Sequence, residues 1–207
     1  VLDHLLRRTL SLDDLETLVF DEADRMLSIG FYPDMKEIQR YLPRRPLPAA
    51  LFSATYPAHV LNLAGEFLRD PQMLSLSQGQ VHVAAIQHLY CECRPMDKDR
   101  ALVRLLETEN PASAIIFCNT KANVHYVAGV LQGFGYSADE LSADLSQGRR
   151  EEVLDRLRRG KVRLLVATDV AARGIDVDDV DIVFNCDVPD ENQDYVHRIG
   201  RTGRAKR

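Results

Sequence analysis

Two adjacent carboxylates close a short apolar run in Leu15-Glu16-Thr17-Leu18-Val19-Phe20-Asp21-Glu22-Ala23-Asp24. Acids at the end of a strand suit the metal-and-water half of a nucleotide-hydrolysing site. The first can hold Mg²⁺, directly or through water, and the second can orient or deprotonate the attacking water. A solvated acidic turn is the plainer alternative. Ser53-Ala54-Thr55 ends the next apolar run, and Ala167-Thr168-Asp169-Val170-Ala171-Ala172-Arg173-Gly174-Ile175-Asp176 follows a later one. Further on stands His197-Arg198-Ile199-Gly200-Arg201-Thr202-Gly203-Arg204. Arg201 and Arg204 lie three apart, so on a helical turn they share a face, which suits them to spreading the charge of a transferring phosphoryl group.

Such residues need strand ends to hold them. Apolar, β-rich runs recur at 15–20, 49–52, 86–93, 112–118, 162–167 and 180–184. Amphipathic patterns lie between them, marked by Leu102, Leu105 and Leu106, by Val124, Val127, Ala128 and Leu131, and by Val153, Leu154 and Leu157. Near-continuous apolar strands alternating with helices predict an α/β fold of parallel sheets covered on both faces, with ligands at the carboxyl ends of the strands. Residues 77–84 are polar, small and aperiodic and read as a linker between two units, 1–76 and 85–207.

The composition, 45% hydrophobic and 28% charged over 207 residues, excludes a disordered or collagenous chain. No apolar run approaches the ~20 residues of a membrane span, and no charged-then-apolar leader opens the chain. The net charge of −5 argues at first against nucleic acid, but it averages over blocks of opposite sign. Residues 176–194 carry eight acids and no Lys or Arg, whereas 197–207 carry five bases and no acid. A partner feels the local field. The four cysteines, Cys91, Cys93, Cys118 and Cys186, contain no C-x-x-C pair, so they are expected to be small buried thiols rather than zinc ligands. Gly133-Phe134-Gly135-Tyr136-Ser137-Ala138 matches a relaxed dinucleotide pattern, but at a helix exit entering a strand, the reverse of the required context.

Taken in order, Asp21-Glu22-Ala23-Asp24, Ser53-Ala54-Thr55, Ile116-Phe117-Cys118-Asn119-Thr120, the 168–176 block and the 197–204 block resemble the DEAD-box RNA helicases over essentially the whole chain. The resemblance implies two RecA-like domains, 1–76 and 85–207, closing over ATP and gripping single-stranded or duplex RNA by its backbone without reading sequence. It implies Mg²⁺ held through water by Asp21, Glu22 as catalytic base, and Asp24, Ser53, Thr55 and His197 as coupling residues. Phe117, Asn119, Thr120, Gln147, Arg150, Thr168 and Gly174 would lie near RNA. Asp176 would contact the ATP ribose, and Arg201 and Arg204 the γ-phosphate. A monomer in the cytoplasm is expected.

The chain departs from the family pattern in four places, one being Ala205-Lys206-Arg207 where a further glycine is usual. No Gly-x-x-x-x-Gly-Lys-Ser/Thr occurs, the only Gly-Lys being Gly160-Lys161 before Val162. The family places that phosphate loop, and an adenine-reading glutamine, upstream. The chain is therefore expected to be an internal piece, its first domain truncated at the N-terminus and its second at the C-terminus, with no ATP hydrolysis by these residues alone. Ser142-Ala143-Asp144 replaces His-Gly-Asp, and Cys186 stands where tyrosine is common. Two other readings compete: a non-catalytic RNA-binding scaffold of the same fold, and a DNA-unwinding relative.

Overall fold

The computed structural model describes residues 1–27, 30–75, 86–172 and 180–203. Its chain divides into two compact units, Val1–Val81 and His82–Arg207. The 77–84 linker lies outside the described residues. Among the described residues no helix is long and apolar enough to cross a membrane.

In the first unit α1 (Leu2–Leu6) precedes β1 (Leu18–Phe20), α2 (Ala23–Met26), α3 (Tyr32–Gln39), β2 (Ala49–Leu51) and α4 (Ala58–Ala64). β1 and β2 pair in parallel, Leu18 opposite Ala49 and Phe20 opposite Leu51. Phe20, Ala23 and Met35 are buried with Leu51 and Phe67 packed on them. The Phe20 and Phe67 rings meet edge-on at 5.3 Å. Burial of such side chains stabilises by about 1.5–3 kcal/mol each, which holds the turn after β1 against β2.

The second unit contains α5 (Lys98–Glu109), β3 (Ala114–Phe117), α6 (Lys121–Gly133), β4 (Ala138–Leu141), α7 (Gln147–Arg158), β5 (Leu164–Ala167), α8 (Asp169–Ala172), β6 (Ile182–Asn185) and α9 (Asn192–Ile199). The strands form a parallel sheet in the order β4-β5-β3-β6. Alternate residues enter opposite cores, as the pleat requires. Ile115, Phe117, Leu165 and Ala167 pack with Val153, Leu154 and Leu157 of α7. Ala114, Ile116, Leu164 and Val166 pack with Leu102 and Leu106 of α5 and Val124 and Leu131 of α6. Both faces are thus covered, and every residue of β3 and β5 is buried.

Two expectations fail here. Residues 86–94 belong to no strand, and all but Ile86 are exposed, Leu89 by 77% and Tyr90 by 89%. β-prone alternation becomes a strand only where a neighbour supplies ladder hydrogen bonds, and none of the four strands pairs with this segment. Cys91 and Cys93 are consequently exposed rather than buried, while Cys118 is buried and Cys186 partly so. β4, Ala138-Asp139-Glu140-Leu141, breaks the apolar pattern because it is an edge strand. Its Asp139 takes Arg156 at 2.5 Å and Arg149 at 3.7 Å. Gly135, with φ +84°, turns the chain from α6 into β4, the helix-exit role read from its context.

Candidate functional site

At the tip of β1 the backbone turns sharply. Phe52 N–H donates to Phe20 O at 2.8 Å and Ala23 N–H to Phe52 O at 3.1 Å, so the turn stays zipped to the end of β2. Glu22 sits between these bonds in the left-handed region, φ 52° and ψ 47°. That conformation is uncommon for a residue with a Cβ and marks a backbone constrained by its surroundings. Asp21 is exposed, one carboxylate oxygen accepting from Glu22 N–H at 3.0 Å. Among the described residues the Glu22 carboxylate makes no hydrogen bond.

Asp24 is used differently. It is 1% exposed, and its Oδ2 accepts from the Thr55 hydroxyl at 2.7 Å. Its own N–H donates to Ser53 Oγ at 3.0 Å, and the Ser53 hydroxyl donates to Thr55 O at 2.8 Å. The carboxylate also accepts from Arg25 N–H at 3.0 Å. The structure therefore joins Asp24, Ser53 and Thr55 in one network at the ends of two adjacent parallel strands.

The second unit is organised by a residue the sequence reading passed over. Arg198, on α9, is 1% exposed. Its Nε and Nη2 grip Asp169 in a bidentate pair, both at 2.7 Å. Nη2 also reaches Asn119 Oδ1 at 2.8 Å, and Nη1 reaches Asp187 O at 2.7 Å and Asn185 Oδ1 at 3.2 Å. The guanidinium lies 5.2 Å from the centroid of the Phe117 ring. One side chain thus ties the ends of β3, β5 and β6 to α9. Guanidinium geometry suits this task, since its planar fork supplies five donors in fixed directions.

Asp187 extends the same arrangement. Its carboxylate accepts from Lys98 Nζ at 2.9 Å, Asn123 Nδ2 at 2.9 Å and Asn119 N–H at 3.1 Å. Burial opposes its ionisation, but Asn123, Lys98 and the Asn119 N–H together outweigh burial and hold the carboxyl below its ordinary value. The Asn119 amide donates to Val188 O at 3.0 Å. Thr120 caps α6 by accepting from Asn123 N–H at 3.1 Å, and Ser146 caps α7 by accepting from Arg149 N–H at 3.3 Å.

The remaining sequence-predicted residues divide clearly. Asn119, Thr120, Gln147 and Arg150 all follow the carboxyl ends of β3 and β4, Arg150 half-buried and the other three exposed. Phe117 differs from them: its ring is 1% exposed, packed in the core beneath Arg198. Thr168 is buried, with its hydroxyl turned to Ala171 N–H at 3.4 Å, so its side chain too is spent internally. His197 and Arg201 line one narrow cleft with Asp169 and Arg198. The shared face expected for Arg201 and Arg204 involves Arg204, which lies outside the described residues. α9 ends at Ile199, and Gly203 adopts φ +70°, where a Cβ would also meet Ile86 Cγ1 at 2.5 Å. Gly174, Asp176 and Arg204 lie outside the described residues. Asp144 of the altered Ser-Ala-Asp loop pairs with Lys121.

Arg198 escaped notice because three-residue spacing cannot say which arginine of the 197–204 block faces the sheet. The available signal was on the acids: Asp169 and Asp187 directly follow strand ends, where a half-buried carboxylate needs a cation or several donors.

Comparison with known proteins agrees along the whole chain. The DEAD/DEAH box helicase model matches residues 1–63, and the helicase conserved C-terminal domain model matches residues 97–206. An ATP-dependent RNA helicase DeaD of Buchnera aphidicola is 44% identical over 207 residues, which is 100% of this chain and 34% of the relative. The DEAD-box ATP-dependent RNA helicase CshA of Bacillus subtilis is 42% identical over 99% of this chain and 41% of its own length. S. cerevisiae Dbp5 bound to RNA and ADP BeF3 superposes with a TM-score of 0.87 and 34% identity, covering 98% of this chain and 54% of that one. The chain thus spans about a third to two fifths of the curated relatives' length. Ordered motifs at parallel strand ends and both family models converge: the chain belongs to the DEAD-box helicase family.

Proposed function

We propose that the protein carrying these residues is an ATP-dependent RNA helicase, coupling ATP hydrolysis to RNA binding and local duplex unwinding. The carrying observation is the division of labour at the β1 tip, where Asp24 is buried in the Ser53–Thr55 network while Asp21 is exposed and Glu22 partly exposed. The likeness to Dbp5 bound to RNA and ADP BeF3 supports the nucleotide and the RNA alike.

Mg²⁺ fits the donors present. Among the described residues no group of three or more His, Cys, Asp or Glu could hold a metal, which excludes a dedicated protein cage there. A lone exposed carboxylate such as Asp21 instead suits an ion that keeps its waters and takes substrate phosphates as ligands. When bound, Mg²⁺ would neutralise charge on those phosphates. Glu22 Oε accepts the proton of the attacking water, a contribution of about 10²–10⁴-fold in rate. Arg201 stabilises charge on the transferring phosphoryl group, with Arg204 and the ribose-contacting Asp176 assigned from the family resemblance.

RNA is held by Asn119, Thr120, Gln147 and Arg150, with Gly174 assigned from the resemblance; backbone contacts of this kind give affinity without sequence readout. Thr168 contributes through its backbone. His197 joins Asp24, Ser53 and Thr55 in coupling the nucleotide to RNA. Residues 1–76 contribute to the first RecA-like domain and 85–207 to the second, joined by 77–84. On the resemblance alone, the protein acts as a monomer in the cytoplasm.

The test is phosphate release by the full-length protein with RNA and DNA of equal length. RNA should stimulate turnover and DNA should not. Equal stimulation would favour a DNA-unwinding relative, and no turnover with either would favour a scaffold.

A further inference from the structure

The ends of β3 and β6 bring two thiols together. The strands pair with Phe117 opposite Asn185, and the next residues along are Cys118 and Cys186. Neighbouring strands run about 4.8 Å apart, which falls inside the roughly 4.4–6.8 Å Cα separation a disulfide spans. Both side chains occupy one face of the sheet, Cys186 packing on the core cluster that contains Cys118, Ile116 and Val124. Each thiol perturbs the ionisation of the other. Cys118 is buried, whereas Cys186 is partly exposed.

The two sulfurs are not equivalent. The neighbouring Cys118 thiol favours the Cys186 thiolate, as does the charge of Lys98, against burial and the charges of Asp187 and Asp99. The neighbouring Cys186 thiol, with burial, pushes the Cys118 thiol up. Thiolate character with partial exposure is what selects a cysteine for oxidation, and a neighbouring thiol is what captures the product.

We propose that Cys118 and Cys186 form a peroxide-oxidised dithiol site in which Cys186 is the attacking and Cys118 the resolving thiol. The Cys186 thiolate displaces hydroxide from a hydroperoxide such as hydrogen peroxide, giving a sulfenic acid, and the hydroxide takes up a proton to leave as water. The Cys118 sulfur then attacks the sulfenic sulfur, forming the S–S bond and releasing a second water with the Cys118 proton. Two thiols lose two electrons and the peroxide gains them. The bond forms one residue before Asn119 and Asp187, both held by Arg198, so oxidation acts on the strand ends that organise this unit.

The experiment exposes reduced full-length protein to a small excess of hydrogen peroxide, blocks remaining thiols by alkylation, and maps the peptides by mass spectrometry. Peptides containing Cys118 and Cys186 should appear joined, Cys91 and Cys93 should remain alkylated, and dithiothreitol should reverse the link. Cys186→Ser, at the partly exposed position, should abolish the link and leave Cys118 reduced. Cys118→Ala, with its fold checked by circular dichroism, should leave Cys186 as sulfenic acid, trapped by dimedone. A link from Cys186 to the exposed Cys93, over-oxidation of Cys186 with Cys118 still free, or full retention of both thiols would overturn the proposal.

Discussion

The two units treat the charges of their motifs in the same way with opposite signs. In the first, Asp24 is buried and bonded to Thr55 while Asp21 and Glu22, three and two residues earlier, stay exposed or partly so. In the second, Arg198 is buried and bonded to Asp169, Asn119, Asn185 and Asp187, while Arg201, three residues later, lines a cleft. Each motif thus pairs a buried anchor with a less buried group to which the proposed function assigns the chemistry. The difference lies in reach. Asp24 is bonded to the Thr55 hydroxyl and, through its N–H, to Ser53 at the end of the neighbouring strand, whereas Arg198 makes a bidentate ion pair and binds three strand ends to a helix. A group that must meet a ligand gains from a buried anchor close by in the chain, because the anchor fixes the backbone that orients it.

This comparison can be broken at either end. The largest expected effect is on activity: Arg201→Ala in the full-length protein should lower RNA-stimulated turnover by about 10³-fold, the low end for an arginine acting on a transferring phosphoryl group, with ATP affinity changed far less. Steady-state phosphate release and nucleotide titration read the two separately, and equal losses in both would make Arg201 a binding group.

Arg198→Ala should instead act on stability. It strands the Asp169 carboxylate, and since that group keeps some exposure the loss should be about 3 kcal/mol, the low end for a broken buried pair. Denaturant unfolding checks this. A change under about 1 kcal/mol, within the range of an exposed pair, would deny Arg198 its anchoring role. Thr55→Val sharpens the contrast from the other unit. Removing one neutral donor from Asp24 should cost about 1–2 kcal/mol, and a loss as large as that of Arg198→Ala would erase the distinction between the anchors.

Much of the fold was legible because β3 and β5 are apolar without interruption and the buried positions of α5, α6 and α7 recur at helical spacing. The segment 86–94 was misread because its alternation describes a propensity, whereas a strand requires a partner. β4 was obscured by Asp139 and Glu140, tolerated because an edge strand can meet Arg156 and Arg149 from one side. At the site, Asp24, Ser53 and Thr55 could be named from order and residue type. The burial of Phe117 and Thr168 could not, since motif membership does not say whether a side chain faces the core or the strand's end. Arg198 was hidden for the same reason, as its neighbours His197 and Arg201 have equal claim on sequence alone.

The most direct measurement of the central claim is RNA-stimulated phosphate release by the full-length Glu22→Gln variant, with ATP and RNA binding measured in parallel. The partly exposed carboxylate beside an anchored Asp24 predicts a loss of at least about 10²-fold in turnover with both affinities retained. Undiminished turnover would contradict Glu22 as the base and, with it, the reading of the β1 tip as the hydrolytic half of the site.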